Sequence, residues 1–270
     1  MFSYPEIDPV IFSLGPLAVH WYGMMYLLGI MGAWLVALKR CRRADSPVAK
    51  DQLEDLVMYA AFGVVLGGRI GYSLFYGMDQ VKENPLWIFK LWEGGMSFHG
   101  GLLGVMIAIW LYSRKIHRGF VVMMDFIAPM VPIGLGLGRL GNFINQELWG
   151  RVTTSDWGMI FPNDSFGLPR HPSQLYEFAL EGVLLFIILY LYSAKPRPRY
   201  AVSAMFLVLY GCFRFFVEFF REPDAHIGFD LFDWLTRGQL LSVPMVIIGI
   251  ILMLVAYHKD HPIHQENSKA

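Results

Sequence analysis

Charge is scarce in this 270-residue chain: Asp, Glu, Lys and Arg supply only 16% of it, where soluble domains carry about a quarter. Cysteine is scarcer still. Cys41 and Cys212 are the only two; they stand far apart in different settings, which argues against a disulfide framework or a thiolate metal site. No clustered Asp/Asp or His/His/Glu arrangement offers a divalent-metal site, so no metal or cofactor is expected. No Gly-x-Ser-x-Gly elbow anchors serine hydrolysis. No basic stripe suits nucleic acid, and the absence of an internal repeat weighs against a transporter. The first ten residues lack a basic n-region, so residues 1–16 read as a retained polar-to-interfacial arm.

What the chain has in quantity is apolar sequence, at 55% of all residues. The runs are near the ~20 residues that a bilayer core requires. They predict seven spans at roughly 17–38, 54–76, 96–113, 121–144, 176–193, 201–220 and 239–257. The expected fold is an all-α integral membrane protein: seven transmembrane helices in one domain, 1–257, with a small outer cap at about 145–175. A polar tail, 258–270, follows. Basic residues sort the loops. Lys39, Arg40, Arg42, Arg43 and Lys50 follow the first span; Arg114, Lys115 and Arg118 follow the third; Lys195, Arg197 and Arg199 follow the fifth; Lys259 follows the seventh. The positive-inside rule puts these loops and the C-terminus in the cytoplasm and the N-terminus outside. Tyr72, Tyr76, Trp87, Trp92 and Trp149 crowd the outer boundary as an aromatic belt. The segment from Pro85 to Trp92 suits an interfacial amphipathic turn.

Polar residues inside the spans are not scattered. Tyr22, Arg69, His99, Arg139 and the pair Arg214 and Glu218 come from five separate spans, and at 1.5 Å rise per residue each falls roughly 5–12 Å from the outer boundary. A water-accessible site opening to the outer leaflet explains that layer. Tyr210, Arg214 and Glu218 are spaced i, i+4, i+8 on one stripe, and Arg139 and Asn142 share a face at i, i+3. Gly134, Gly136, Gly138 and Gly141 thin the fourth span beside them, after Pro129 and Pro132, which can kink it. Arginine keeps its charge and offers a planar fork that fits phosphate. The layer therefore suggests an anionic phospholipid as ligand, with Arg69 as one of its holders.

Blander readings stand beside these. His99 opens a helix and is either hydrogen-bonded there or a proton acceptor, since imidazole titrates near neutrality. Arg69 pairs with a carboxylate or snorkels. Arg214 and Glu218 form a structural ion pair. Asp125 caps its own helix, and Cys212 is a small core residue. Gly63, Gly67 and Gly71 with Gly100 and Gly104 are packing faces.

Taken together, the motifs become recognisable: His20-Trp-Tyr-Gly23, Gly67-Gly-Arg-Ile-Gly71, Gly94-Gly-Met-Ser-Phe-His-Gly-Gly101, Gly138-Arg-Leu-Gly-Asn-Phe-Ile-Asn-Gln-Glu-Leu-Trp-Gly-Arg151, Arg170-His-Pro-Ser-Gln-Leu-Tyr-Glu177 and Arg214-Phe-Phe-Val-Glu-Phe-Phe-Arg-Glu-Pro-Asp224. Over nearly the whole chain the sequence resembles the bacterial prolipoprotein diacylglyceryl transferases. The resemblance implies a seven-helix inner-membrane enzyme with its active site toward the periplasmic leaflet. It implies transfer of the diacylglyceryl group from phosphatidylglycerol to the lipobox cysteine of a prolipoprotein, with release of glycerol 1-phosphate. The functional positions it implies are Tyr22, His99, Arg139, Asn142, Glu147, Gly150, Tyr210, Arg214 and Glu218, with Arg139 in the phosphatidylglycerol-binding signature. A lipid or anion transporter using the same arginine layer is the competing expectation. The chain gives no indication of oligomeric state.

Overall fold

The computed structural model describes residues 1–15, 17–223 and 235–258. Pro16 of the arm, Asp224 of the last motif, Lys259 and the tail expected beyond it lie outside the described residues.

Short strands β1 (Phe2–Ser3), β2 (Val10–Leu14) and β3 (Leu17–His20) precede the first helix, α1 (Trp21–Cys41). Then come α2 (Leu53–Phe75), α3 (Met78–Glu83), α4 (Phe98–Lys115), α5 (Phe120–Ile127) and α6 (Val131–Ile144). Strands β4 (Met159–Ile160) and β5 (Pro169–Arg170) lie in the next loop. Helix α7 (Ser173–Glu177) runs through a π-helical stretch, Phe178–Leu184, into α8 (Leu185–Tyr192), and α9 (Ala201–Val217) and α10 (Arg237–His258) complete the order.

Among the described residues, four helices are long and apolar enough to cross a membrane: Trp21–Cys41, Lys50–Phe75, Ser173–Tyr192 and Arg237–His258. The pair α5 and α6, bent by 48°, makes a fifth if taken as one span. The bend falls where Pro129 and Pro132 interrupt the backbone ladder, as proline does. Helix α4 does not meet the same standard, and α9, at 17 residues, is too short for it. Burial runs opposite to that of a soluble protein. Leu27, Phe62, Leu103 and Leu254 are each more than 60% or about 60% exposed, while Arg69, Asn142, Glu177, Glu181 and Glu218 are buried. Apolar faces outward and ionisable groups inward are what a lipid solvent selects.

Two compact units are distinguished, Met1–Ala37 with Asp125–Ala270, and Leu38–Met124. In the second, α2 and α4 lie against each other along their glycines. A Cβ on Gly104 would sit 2.1 Å from the Gly63 carbonyl oxygen, and one on Gly67 would sit 2.4 Å from that of Gly100. The packing reading of these residues therefore holds. Two 3₁₀ turns, Pro85–Phe89 and Leu91–Glu93, fill the connection where an interfacial turn is expected.

In the first unit the arm is folded. β1 pairs in parallel with β4, and β4 pairs antiparallel with β5. Tyr4, Phe143 and Phe161 form a small core there, and the Tyr4 hydroxyl reaches the carbonyls of Phe143 and Ile144, at 3.2 and 3.0 Å. The first helix begins later than the hydropathy predicts, because Leu17–His20 satisfies its backbone by pairing with Val10–Leu14.

Two expectations need correction. Asp125 caps α9 rather than its own helix: its carboxylate accepts from the Tyr200 and Ser203 amides, both at 2.8 Å, and from the Ser203 hydroxyl at 2.6 Å. Those N–H groups belong to the start of α9, which has no intrahelical partners for them. Cys212 is exposed, not a core residue; Gly211 is the residue of α9 pressed against Val246 of α10.

Candidate active site

The site grows from α6. Its Gly-rich sequence lets neighbours come close: Gly136 meets Gly182 of the π-helical stretch, and the Tyr22 ring lies over Gly141, 2.9 Å from where a Cβ would be. The same helix carries Arg139 and Asn142 one turn apart. Arg139 is partly exposed, and its Nε lies 3.1 Å from Oε2 of Glu177 on α7. Among the described residues its two terminal nitrogens have no partner.

Glu177 is fully buried and faces two arginines. Its other oxygen, Oε1, accepts from Nη1 of Arg214 on α9. Arg214 then gives Nη2 to Oε1 of Glu218, which also faces Arg221 at 3.4 Å. The Thr236 hydroxyl donates to Glu218 Oε2 at 2.6 Å. One ionic chain thus runs Arg139–Glu177–Arg214–Glu218–Arg221 across three helices. Such pairing is what makes buried charge tolerable. Glu181, one turn beyond Glu177, is fully buried and has no hydrogen bond among the described residues; Arg214 Nη1 is 3.8 Å from it. Tyr210 stands one turn before Arg214 and stacks on Phe206, with centroids 5.5 Å apart.

At the end of α6 a second group forms. Asn142 donates from Nδ2 to Glu147 Oε1 at 2.7 Å, and the Gln174 amide donates to the Glu147 carbonyl, also at 2.7 Å. The Tyr22 hydroxyl lies 3.3 Å from that of Tyr26. Gly150 is locked between segments: its N–H donates to the His171 carbonyl at 2.8 Å, and a Cβ would fall 2.4 Å from the Phe220 oxygen. Arg151 donates to the carbonyls of Arg221 and Glu218, at 2.9 and 3.2 Å. Arg170 donates to Asp164 at 2.6 Å and reaches the Gly150 carbonyl at 3.4 Å. The Arg170 guanidinium holds the Asp164 carboxyl below the usual carboxylate range.

Of the residues expected to form one layer, Tyr22, Arg139, Asn142, Glu147, Gly150, Tyr210, Arg214 and Glu218 belong to the unit just described. Arg69 and His99 belong to the other. There Arg69 is almost wholly buried, and its donors are committed. Nε donates to the Ile88 carbonyl at 3.0 Å, Nη2 to that of Trp87 at 2.8 Å, and Nη1 to those of Gly94 and Gly95. The Trp87 ring covers the guanidinium at 4.2 Å. Arg69 fastens the loop between α2 and α4, and with all three nitrogens bound to four main-chain carbonyls it has little left for a headgroup. Among the described residues no carboxylate forms an ion pair with it, and its guanidinium binds main-chain carbonyls instead. His99 is exposed in the first turn of α4, which Ser97 caps by accepting from the Gly100 amide at 3.2 Å. Its ring meets only Phe98 edge-on and has no hydrogen bond among the described residues.

Glu177 is a site residue that the sequence does not single out: it stands in a quoted motif, but arginine in an apolar run is conspicuous and the distant carboxylate that neutralises it is not.

Comparison with known proteins agrees with the motifs. The family model for prolipoprotein diacylglyceryl transferase matches residues 9–255. A protein of Teredinibacter turnerae is 59% identical, with 99% of this chain and 96% of the relative covered. One from Pseudomonas paraeruginosa is 58% identical, covering 96% and 97%, and one from Oleidesulfovibrio alaskensis 60%, covering 94% of each. All three carry the name phosphatidylglycerol–prolipoprotein diacylglyceryl transferase. With identity near three residues in five from end to end, and the Gly-Arg-Leu-Gly-Asn helix at the head of an ionic chain, the chain belongs to the prolipoprotein diacylglyceryl transferase family.

Proposed function

We propose that this chain moves the diacylglyceryl group of phosphatidylglycerol onto the lipobox cysteine thiol of a prolipoprotein and releases glycerol 1-phosphate, the first step of lipoprotein maturation. The observation that carries the reading is the convergence of Arg139 and Arg214, from separate helices, on one buried carboxylate beside α6.

The chemistry is a displacement at the glyceryl carbon that bears the phosphate. The sulfur–carbon bond forms, the carbon–oxygen bond breaks, and the electron pair leaves on the phosphate oxygen. Two demands follow. The thiol must lose its proton, because the thiolate is the nucleophile. The charge growing on the departing phosphate must be met by fixed positive groups in a water-poor site. Arg139, with its open terminal nitrogens, and Arg214 serve the second demand and hold the headgroup beforehand. His99 takes the proton. Tyr22, Asn142, Glu147, Gly150, Tyr210 and Glu218 shape and orient the headgroup site. Arg69 acts on the α2–α4 loop, and so on the position of Ser97 and His99, rather than on the headgroup.

The finer architecture belongs to the same proposal. Seven spans in one domain, 1–257, place the N-terminus in the periplasm and the C-terminus in the cytoplasm of a bacterial inner membrane. The segment 145–175 forms a cap over the outer end. Lipid enters laterally, and the prolipoprotein arrives from the periplasmic face.

The test is purified protein in phosphatidylglycerol liposomes with a lipobox peptide. Glycerol phosphate release that requires the peptide, with thioether-linked product, is the expected result. Lipid or anion movement across the bilayer without peptide lipidation would replace this reading with a transporter.

A further inference from the structure

We propose that Glu177 is a positioning residue for the transfer reaction: one buried carboxylate that sets the separation and aim of the two arginines assigned to the lipid phosphate. The inference rests on the proposed function, which it deepens.

Four observations carry it. First, Glu177 turns its two oxygens to different helices: Oε1 accepts a hydrogen bond from Arg214 on α9, and Oε2 faces Arg139 on α6 as an ion pair without a hydrogen bond. A carboxylate fixes the spacing of its oxygens, so it fixes the spacing of what binds them. Second, Glu177 contacts Arg139 at Nε, at 3.1 Å. That choice leaves the fork of terminal nitrogens, the part that matches two phosphate oxygens, without a partner among the described residues. Third, Glu177 itself has no exposed surface, so it acts through the arginines and not on the lipid. Fourth, the carboxylate is held in turn. Helix α7 is tied to the loop after α6 by Gln174, which donates to the Glu147 carbonyl, and by Ser173, which donates to that of Leu148 at 3.2 Å. The loop carrying Glu147 and Gly150 and the carboxylate carrying the arginines are thus one framework.

Glu181 marks the contrast. It is equally buried and only one turn away, yet among the described residues it meets Arg214 only at 3.8 Å, without a hydrogen bond, and forms no ion pair with Arg139. Glu177 is thus the carboxylate that faces both arginines.

The experiment measures kcat and KM for phosphatidylglycerol, with the thermal midpoint, for wild type, Glu177→Gln, Glu177→Asp, Arg139→Ala and the double variant Arg139→Ala/Glu177→Gln. Glutamine keeps the shape but turns an amide toward one guanidinium; aspartate keeps the charge but cannot span both. Misplacing reacting groups by about 1 Å costs on the order of 100-fold, and Glu177→Gln is expected to lose that much in kcat/KM. Glu177→Asp recovers part of it. Because Glu177 acts through Arg139, the double variant loses much less than the product of the single losses. Wild-type kinetics in Glu177→Gln, or independent losses in the cycle, would overturn the proposal. If Glu177→Gln shows no cooperative unfolding, Glu177→Asp decides: a folded variant with wild-type kcat/KM overturns the proposal, and a folded variant with impaired kcat/KM supports it. A wild-type protein without peptide-dependent transfer would instead defeat the underlying function.

Discussion

A guanidinium has five donors, and three arginines in this chain distribute theirs in three ways. Arg69 gives them to four main-chain carbonyls and stacks on Trp87, which leaves it a fastener. Arg214 divides its terminal nitrogens between Glu177 and Glu218. Arg139 touches its carboxylate through Nε and keeps its fork open. The open fork makes Arg139 the most sensitive to a change of donor geometry. Arg139→Lys retains the charge but not the bidentate plane, and it is expected to lower transfer by roughly 100-fold or more, the scale seen when one transition-state donor is removed. Rates with purified phosphatidylglycerol check this; near wild-type turnover would remove Arg139 from the phosphate. His99 is exposed and without a hydrogen bond among the described residues, and the proposed reaction makes it the acceptor of the thiol proton. For His99→Gln the rate should fall and the rise of rate with pH that a base imposes should flatten. An unchanged rate and profile would make His99 structural. At this scale the sequence showed the cations plainly, because arginine in an apolar run is conspicuous. It did not show Glu177 as their joint partner, since that pairing spans 38 and 37 positions and depends on how α6, α7 and α9 come together.

The elements explain why the approach of helices was easier to read than their ends. Gly63, Gly67, Gly100 and Gly104 announce close contact by themselves, and α2 and α4 meet there. Replacing Gly104 by Val drives a branched side chain into the Gly63 carbonyl and is expected to cost about 1–3 kcal/mol, read as a lower thermal midpoint. A midpoint equal to wild type would show that the helices can part without loss. Element ends followed from interactions that hydropathy does not record. The first helix starts at Trp21 because a hairpin takes the preceding residues, and α9 starts where Asp125, 75 residues earlier in the chain than Tyr200, meets its free amides. The bend between α5 and α6 was legible, since two prolines flank it.

For the whole molecule the distribution of charge carries the argument. Basic residues gather after the first, third, fifth and seventh of the proposed spans, and the proposed topology therefore has its C-terminus in the cytoplasm. A fluorescent protein that matures only in the cytoplasm, fused after Ala270, should therefore fluoresce in cells, and the same reporter fused at the N-terminus should stay dark. The reverse pattern would invert the proposed topology and move the site to the wrong leaflet for an exported substrate. The family was legible at this scale because many weak motifs occur together in one order.

Gly150 has a consequence for how such a molecule can move. At that one Cα, the strap leaving α6, the entry to α7 and the turn after α9 all touch, with carbonyls too near to admit a methyl group. These three segments therefore shift as one block or not at all. Under the proposed function, a lipid that enters sideways meets this block as a fixed boundary and must part the helices elsewhere.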